Sequence, residues 1–214
     1  ATTADADYVA KSGSLTFASG TTSQPVAVSV NGDVKYEANE TFSVNLTSPT
    51  NATIADAQGV GTITNDDPLP AIAINDASGN EGNSGTSSLG FTVSLTNPSY
   101  QAITVAYATA AGTARTADGD SLAKSGSLTF AAGTTSQPVS VTVNGDNKFE
   151  PHETFNVNLS APGNATLADG QGVGTITNDD AQPTLTIADV EKLEGNSGTT
   201  PFDFAVTLSN PSYL

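Results

Sequence analysis

Residues 124–160 read KSGSLTFAAGTTSQPVSVTVNGDNKFEPHETFNVNLS. Apolar side chains fall on every second position in three runs: Leu128 and Phe130; Val139, Val141 and Val143; Phe155, Val157 and Leu159. That is the period of a strand with one face buried, and it excludes an amphipathic helix. Ala-Gly and Asn-Gly-Asp breaks separate the runs, as turn chemistry requires. The link between the second and third runs carries Asp146, Glu150 and Glu153.

Outward from this stretch the pattern continues. Phe91, Val93 and Leu95 alternate, as do Ile103, Val105 and Tyr107, while Ile72 and Ile74 precede them and Ile176 follows. The count is about seven strands, the number in an immunoglobulin-like sandwich. The opening stretch also has a twin, because KSGSLTFASGTTSQPVAVSVNGD at 11–33 returns at 124–146 as KSGSLTFAAGTTSQPVSVTVNGD. The offset of 113 residues also relates NATIADAQGVGTITNDD (51–67) to NATLADGQGVGTITNDD (164–180), EGNSGT at 81 to EGNSGT at 194, and NPSY at 97 to NPSY at 210. A fixed period of this kind marks a repeat architecture. The expected organisation is the C-terminal part of one repeat at 1–67, a complete repeat at 68–180, and the N-terminal part of another at 181–214. With no Met in the chain, a window on a longer tandem array is expected. The joints NDDPLP and NDDAQP contain proline and no Gly/Ser linker, which favours stiff connections.

Composition narrows the function. There is no Cys, so disulfides, thiolate metal sites and cysteine nucleophiles are excluded. Twenty-two acids against six bases give a net charge of −16. Such a chain repels nucleic acid and anionic membranes and attracts divalent cations. No apolar run reaches the roughly 18–20 residues of a membrane helix. His152 is the single His, and Asn39 takes its place in the first copy. That makes it a surface loop residue and leaves no Ser-His-Asp site, so an enzyme is not expected.

The acids, though few, recur in connecting loops: Glu81, Asp118 and Asp120, then Asp146, Glu150 and Glu153, then Asp179 and Asp180. A sandwich gathers alternate loops at one end. Carboxylates converging there without a compensating base repel one another unless they protonate or a cation enters. Asp, Glu and Asn without His or Cys is hard-oxygen chemistry, which points to Ca²⁺.

The succession EGNSGTSSLGFTVSL, SGSLTF, the Asp–x3–Glu–x2–Glu–Thr–Phe loop and a terminal TITNDD resembles the Calx-beta domain across the whole chain. The resemblance implies an all-β, immunoglobulin-like, seven-stranded sandwich repeat with calcium as its ligand. It places the calcium ligands on Glu81, Asp120, Asp146, Glu150, Glu153, Asp179 and Asp180. In the first copy they fall on Asp7, Asp33, Glu37, Glu40, Asp66 and Asp67, and in the third on Glu194. The family's acid-rich site carries further carboxylates where this chain has Gly145 and Asn178, and Gly32 and Asn65 in the first copy. The amides of Asn178 and Asn65 still offer oxygen. One or two ions per repeat are expected, with affinity of about 10⁻⁴–10⁻³ M.

The functional expectation is a secreted or cell-surface structural or adhesive protein, a bacterial stalk or filament, stiffened by Ca²⁺ near its inter-repeat joints. Its partners are neighbouring repeats of the same or adjacent chains, with a cell-surface or matrix ligand beyond them. The alternative is a surface module whose repeat itself binds carbohydrate or protein, with Tyr100 and Tyr213 as its aromatic candidates.

Overall fold

The computed structural model describes residues 1–116 and 119–213, so Asp118 lies outside the described residues. Among them there is no helix, and none long and apolar enough to cross a membrane. Two strands, β1 (Glu40–Asn45) and β2 (Gln58–Ile63), form an antiparallel pair near the start. The central strands are β3 (Ala71–Ile74), β4 (Ala77–Asn80), β5 (Gly85–Leu95), β6 (Ile103–Ala111), β7 (Ser125–Phe130), β8 (Ser136–Gly145), β9 (Glu153–Gly163), β10 (Thr166–Leu167) and β11 (Gln171–Thr177). A last antiparallel pair joins β12 (Leu185–Ile187) to β13 (Val206–Leu208).

The central strands make two facing sheets, ordered β10-β3-β5-β8 and β4-β11-β9-β6-β7. Each alternating run sends its apolar side inward. Ile72, Phe91, Val93, Val105, Phe130, Val141, Val143, Phe155 and Val157 are essentially inaccessible. The Phe91 and Phe155 rings meet edge to face across the two sheets, 6.0 Å between centroids. The expected immunoglobulin-like sandwich is therefore the observed one. Tyr107 and Leu128 differ from their runs by packing at the rim of the core.

The seven expected strands become nine pieces because the first and last are divided. β3 pairs with β5 in one sheet, and the chain then crosses at Asn75 and Asp76 to run as β4 beside β11 in the other. Side chains hold this crossing: the Thr92 N–H donates to Asn75 Oδ1 (2.5 Å) and the Val173 N–H to Asp76 Oδ1 (2.7 Å). β10 is likewise a short parallel partner of β3 before β11 begins.

The flanking segments show how far sheet formation depends on partners. SGSLTF is strand β7 at 125–130, but the identical SGSLTF at 12–17 forms no strand. β7 pairs with β6, whereas residues 12–17 pair with no strand among the described residues. Phe17 is accordingly 53 % exposed and its counterpart Phe130 1 %. Propensity places a residue on a pleated surface, and pairing across that surface fixes it there.

Candidate functional site

One end of the sandwich gathers the acids, and the strand directions explain why. β4 runs parallel to β11, with Asn80 opposite Thr177, so both strands end at the same pole. Glu81 follows the first, and Asn178, Asp179 and Asp180 follow the second. The Gly82 N–H donates to Asp179 Oδ1 (3.1 Å) and Asn80 Nδ2 to Asp179 Oδ2 (3.4 Å), tying the two ends together. β8 leaves the core at this pole and β9 starts there, with Glu153 opposite Ile176. The 146–152 loop between them is thereby held over the same spot. Asp120 enters from a fourth loop, its carbonyl accepting from the Asn144 N–H (3.0 Å).

Two triads of carboxylates result. Glu81, Asp179 and Asp180 bring oxygens within 4.8 Å of one another, as do Asp120, Glu150 and Glu153. Glu81 is only 6 % exposed and Glu150 8 %. The Glu81 carboxylate receives no hydrogen bond from any described residue, and Asp180 Oδ2 is buried without a partner. Burial, followed by the charges of Glu150, Asp146, Asp180 and Asp179, pushes the Glu81 carboxyl up to about 7. Burial and the neighbouring Asp179 and Asp146 raise Asp180 as well. Nearby anions and loss of water disfavour the charged form, and both act here.

The first copy reproduces the second triad with Asp7, Glu37 and Glu40. Asp67 is raised by burial and by Asp66, Asp33 and Glu37, so these acids also lie together. The counterpart of Glu81 in this copy would precede residue 1. Glu194, in the third copy, is exposed and lies outside the acidic groups, its carbonyl accepting from Thr200.

Asn178 and Asn65 act as braces. Asn178 Oδ1 accepts from the Glu150 N–H (3.2 Å) and its Nδ2 donates to the Asp180 carbonyl (3.1 Å). Asn65 makes the same pair of bonds with Glu37 (3.0 Å) and Asp67 (2.9 Å). His152 Nδ1 accepts from the Asn178 N–H (3.1 Å), which gives the lone His a structural role that Asn39 repeats with Asn65.

Two features depart from the reading of the sequence. The pole is not free of bases: Lys148 pairs with Glu150 and lies 3.9 Å from Asp146 Oδ2, and Lys35 pairs with Glu37 at 2.7 Å. The spacing Asp-x-Lys-aromatic-Glu, present in both copies, was the available signal. In addition, Gly145 cannot simply be a lost ligand. A Cβ there would stand 2.0 Å from the Gly82 carbonyl oxygen and 2.6 Å from that of Glu81, so the loop bearing Glu81 rests on this glycine. We expect Gly145→Asp to gain no ion and to cost about 2–3 kcal/mol in urea unfolding.

The family model described as Calx-beta domain matches residues 1–68 and 74–191. No curated protein matches the chain. Among solved structures, the apo form of the Calx CBD1 domain aligns at 22 % identity over 53 % of this chain and 100 % of that one, with a TM-score of 0.45. CBD12 from CALX1.2 aligns at 23 % identity over 56 % of this chain and 48 % of that one, TM-score 0.47. The calcium binding domain CBD12 of CALX1.1 aligns at 20 % identity over 64 % and 69 %, TM-score 0.46.

Proposed function

The chain belongs to the Calx-beta domain family, and from that premise we propose that each complete repeat binds Ca²⁺ at its acidic pole and that the ion stiffens the joint to the next repeat. The observation that carries this reading is the triad of Glu81, Asp179 and Asp180, in which Glu81 is more than nine-tenths buried and Asp180 Oδ2 is buried with no hydrogen-bond partner among the described residues. A buried anion without a donor is costly, and a hard dication coordinated by oxygens relieves it. Asp180 Oδ2, buried and unpartnered, fits the same ion. Glu81, Asp179 and Asp180 would hold it on one side of the pole, and Asp120, Glu150 and Glu153 on the other. The ion supplies positive charge that cross-links loops from separate strands.

The pole lies beside the joint. The Phe149 N–H donates to the Pro211 carbonyl (3.0 Å) and the Tyr213 N–H to the Phe149 carbonyl (3.1 Å). Tyr36 makes the same two bonds with Pro98 (3.0 Å) and Tyr100 (2.9 Å). The 146–152 loop thus carries acids toward the pole and backbone toward the next repeat. This supports a structural or adhesive role in a tandem array, with a secreted or cell-surface location where millimolar calcium is available. Tyr100 and Tyr213, the aromatics a glycan-binding module would need, sit at these joints.

Small-angle scattering of the chain in millimolar calcium and in chelator tests the stiffening. The expected result is a narrower distribution of interdomain distances with calcium, lost in Glu150→Gln. Superimposable curves in the two buffers would contradict it.

A further inference from the structure

Five lysines and one arginine are the only cationic side chains in the sequence, and two of the lysines occupy equivalent places at the acidic poles. Local geometry fixes them there. The Lys148 N–H donates to Asp146 Oδ1 (2.7 Å) and the Lys35 N–H to Asp33 Oδ1 (2.8 Å), so each lysine is set by a turn on the aspartate two residues before it. The glutamate two residues later lies on the same side of the extended backbone, and each ammonium meets it. The intervening aromatic, Phe149 or Tyr36, uses its backbone to dock the next repeat's Asn-Pro-Ser-Tyr segment. That docking brings a tyrosine ring to the lysine: Lys148 Nζ lies 5.3 Å from the Tyr213 centroid and Lys35 Nζ 5.5 Å from that of Tyr100. Both distances are within the range of cation–π attraction.

We propose that Lys148, and Lys35 in the preceding copy, is a tethered counter-ion that stands in for the metal, holding the ion-free pole and the neighbouring repeat together until a dication displaces it from Glu150. This rests on the reading of the pole as a cation site. The lysine and the ion compete for one carboxylate, so the lysine lowers the site's affinity. The next repeat's tyrosine holds the competitor in place, and the affinity of each pole therefore depends on whether its neighbour is docked. By linkage, the ion in turn releases the contact between lysine and tyrosine, so the stiffening proposed above comes from the loops that the ion cross-links and not from this contact.

The test uses the full chain and calcium chloride. The amide resonances of Gly82 and Glu150 report the central pole during titration, and hydrogen exchange of the Tyr213 amide reports the joint. Lys148→Gln should bind calcium about tenfold more tightly, since a positive charge no longer opposes the ion. In chelator its Tyr213 amide should exchange several-fold faster than in the parent, and in saturating calcium at the parent's rate. Tyr213→Leu should also tighten calcium binding in the parent, but not when Lys148→Gln is already present. Lys148→Arg, which keeps the charge, should resemble the parent and controls for folding. Calcium uptake with equal affinity in the parent and Lys148→Gln overturns the competition alone. Unchanged Tyr213 exchange in chelator overturns the tie to the neighbour. Absence of calcium uptake in every variant overturns the cation site, and the proposal falls with it.

Discussion

In chelator, the melting temperature of the central repeat falls by roughly 8 °C between pH 4.5 and pH 8, and saturating calcium removes the fall. Glu81 is the source. Its folded carboxyl titrates at about 7 against an ordinary value of 4.5, because it is buried among other acids. Between these values the folded state holds a proton that the unfolded chain has released, so stability declines as pH rises. The contribution is complete below pH 4.5 and gone once pH passes about 7. At 1.36 kcal/mol per unit the full shift is about 3 kcal/mol, and solvent at the rim of the pole reduces it to about 2 kcal/mol. A bound dication offsets the same repulsion, and at a hundredfold excess over its dissociation constant it adds about 2.7 kcal/mol by mass action. Glu81→Gln should therefore flatten the pH profile in chelator and abolish most of the calcium-induced rise at pH 8. Differential scanning calorimetry reads both effects. A parent profile that is level from pH 4.5 to 8 in chelator would show that Glu81 is adequately solvated.

The largest loss of stability is expected from Phe155→Ala, at about 3–5 kcal/mol. Phe155 is one of the least accessible side chains in the molecule and sits directly opposite Gly174. A Cβ on that glycine would come within 2.4 Å of the ring, so the phenyl group covers bare backbone on the adjacent strand as well as meeting Phe91. Removing the ring leaves a cavity that neither sheet can close and uncovers the ladder between β9 and β11. Against a typical domain stability of about 5–15 kcal/mol, a fall of roughly 15 °C in melting temperature should follow. The first copy repeats the arrangement with Phe42 and Gly61. A loss below about 1 kcal/mol for Phe155→Ala in urea unfolding would show that the ring's place between the sheets adds little.

The core was legible because burial on one face of a strand leaves a period of two in the sequence. Phe91, Val93, Val139, Val141, Phe155 and Val157 were all readable in this way, and all are buried. The division of the first strand was not readable. It rests on the side chains of Asn75 and Asp76 bonding to strands that are remote in sequence. The acids of the pole could be named from their positions in loops. Their unequal burial could not, because Glu81 is enclosed only where Gly82 packs on Gly145. The place of the lysines is hidden in the composition for a simpler reason. A chain-wide scarcity of bases says nothing about where the few bases are placed, whereas the recurrence of Lys35 and Lys148 between an aspartate and a glutamate does.

The two joints are the same set of contacts made twice, with Tyr36 clasped by the segment that begins at Pro98 and Phe149 by the one that begins at Pro211. Repeating one rotation and one translation generates a screw, whose pitch is set by a single local geometry. An array built on this joint therefore lengthens in equal steps as copies are added. A substitution at the clasp, carried in every copy, would alter the winding of the whole assembly while leaving each sandwich as it was.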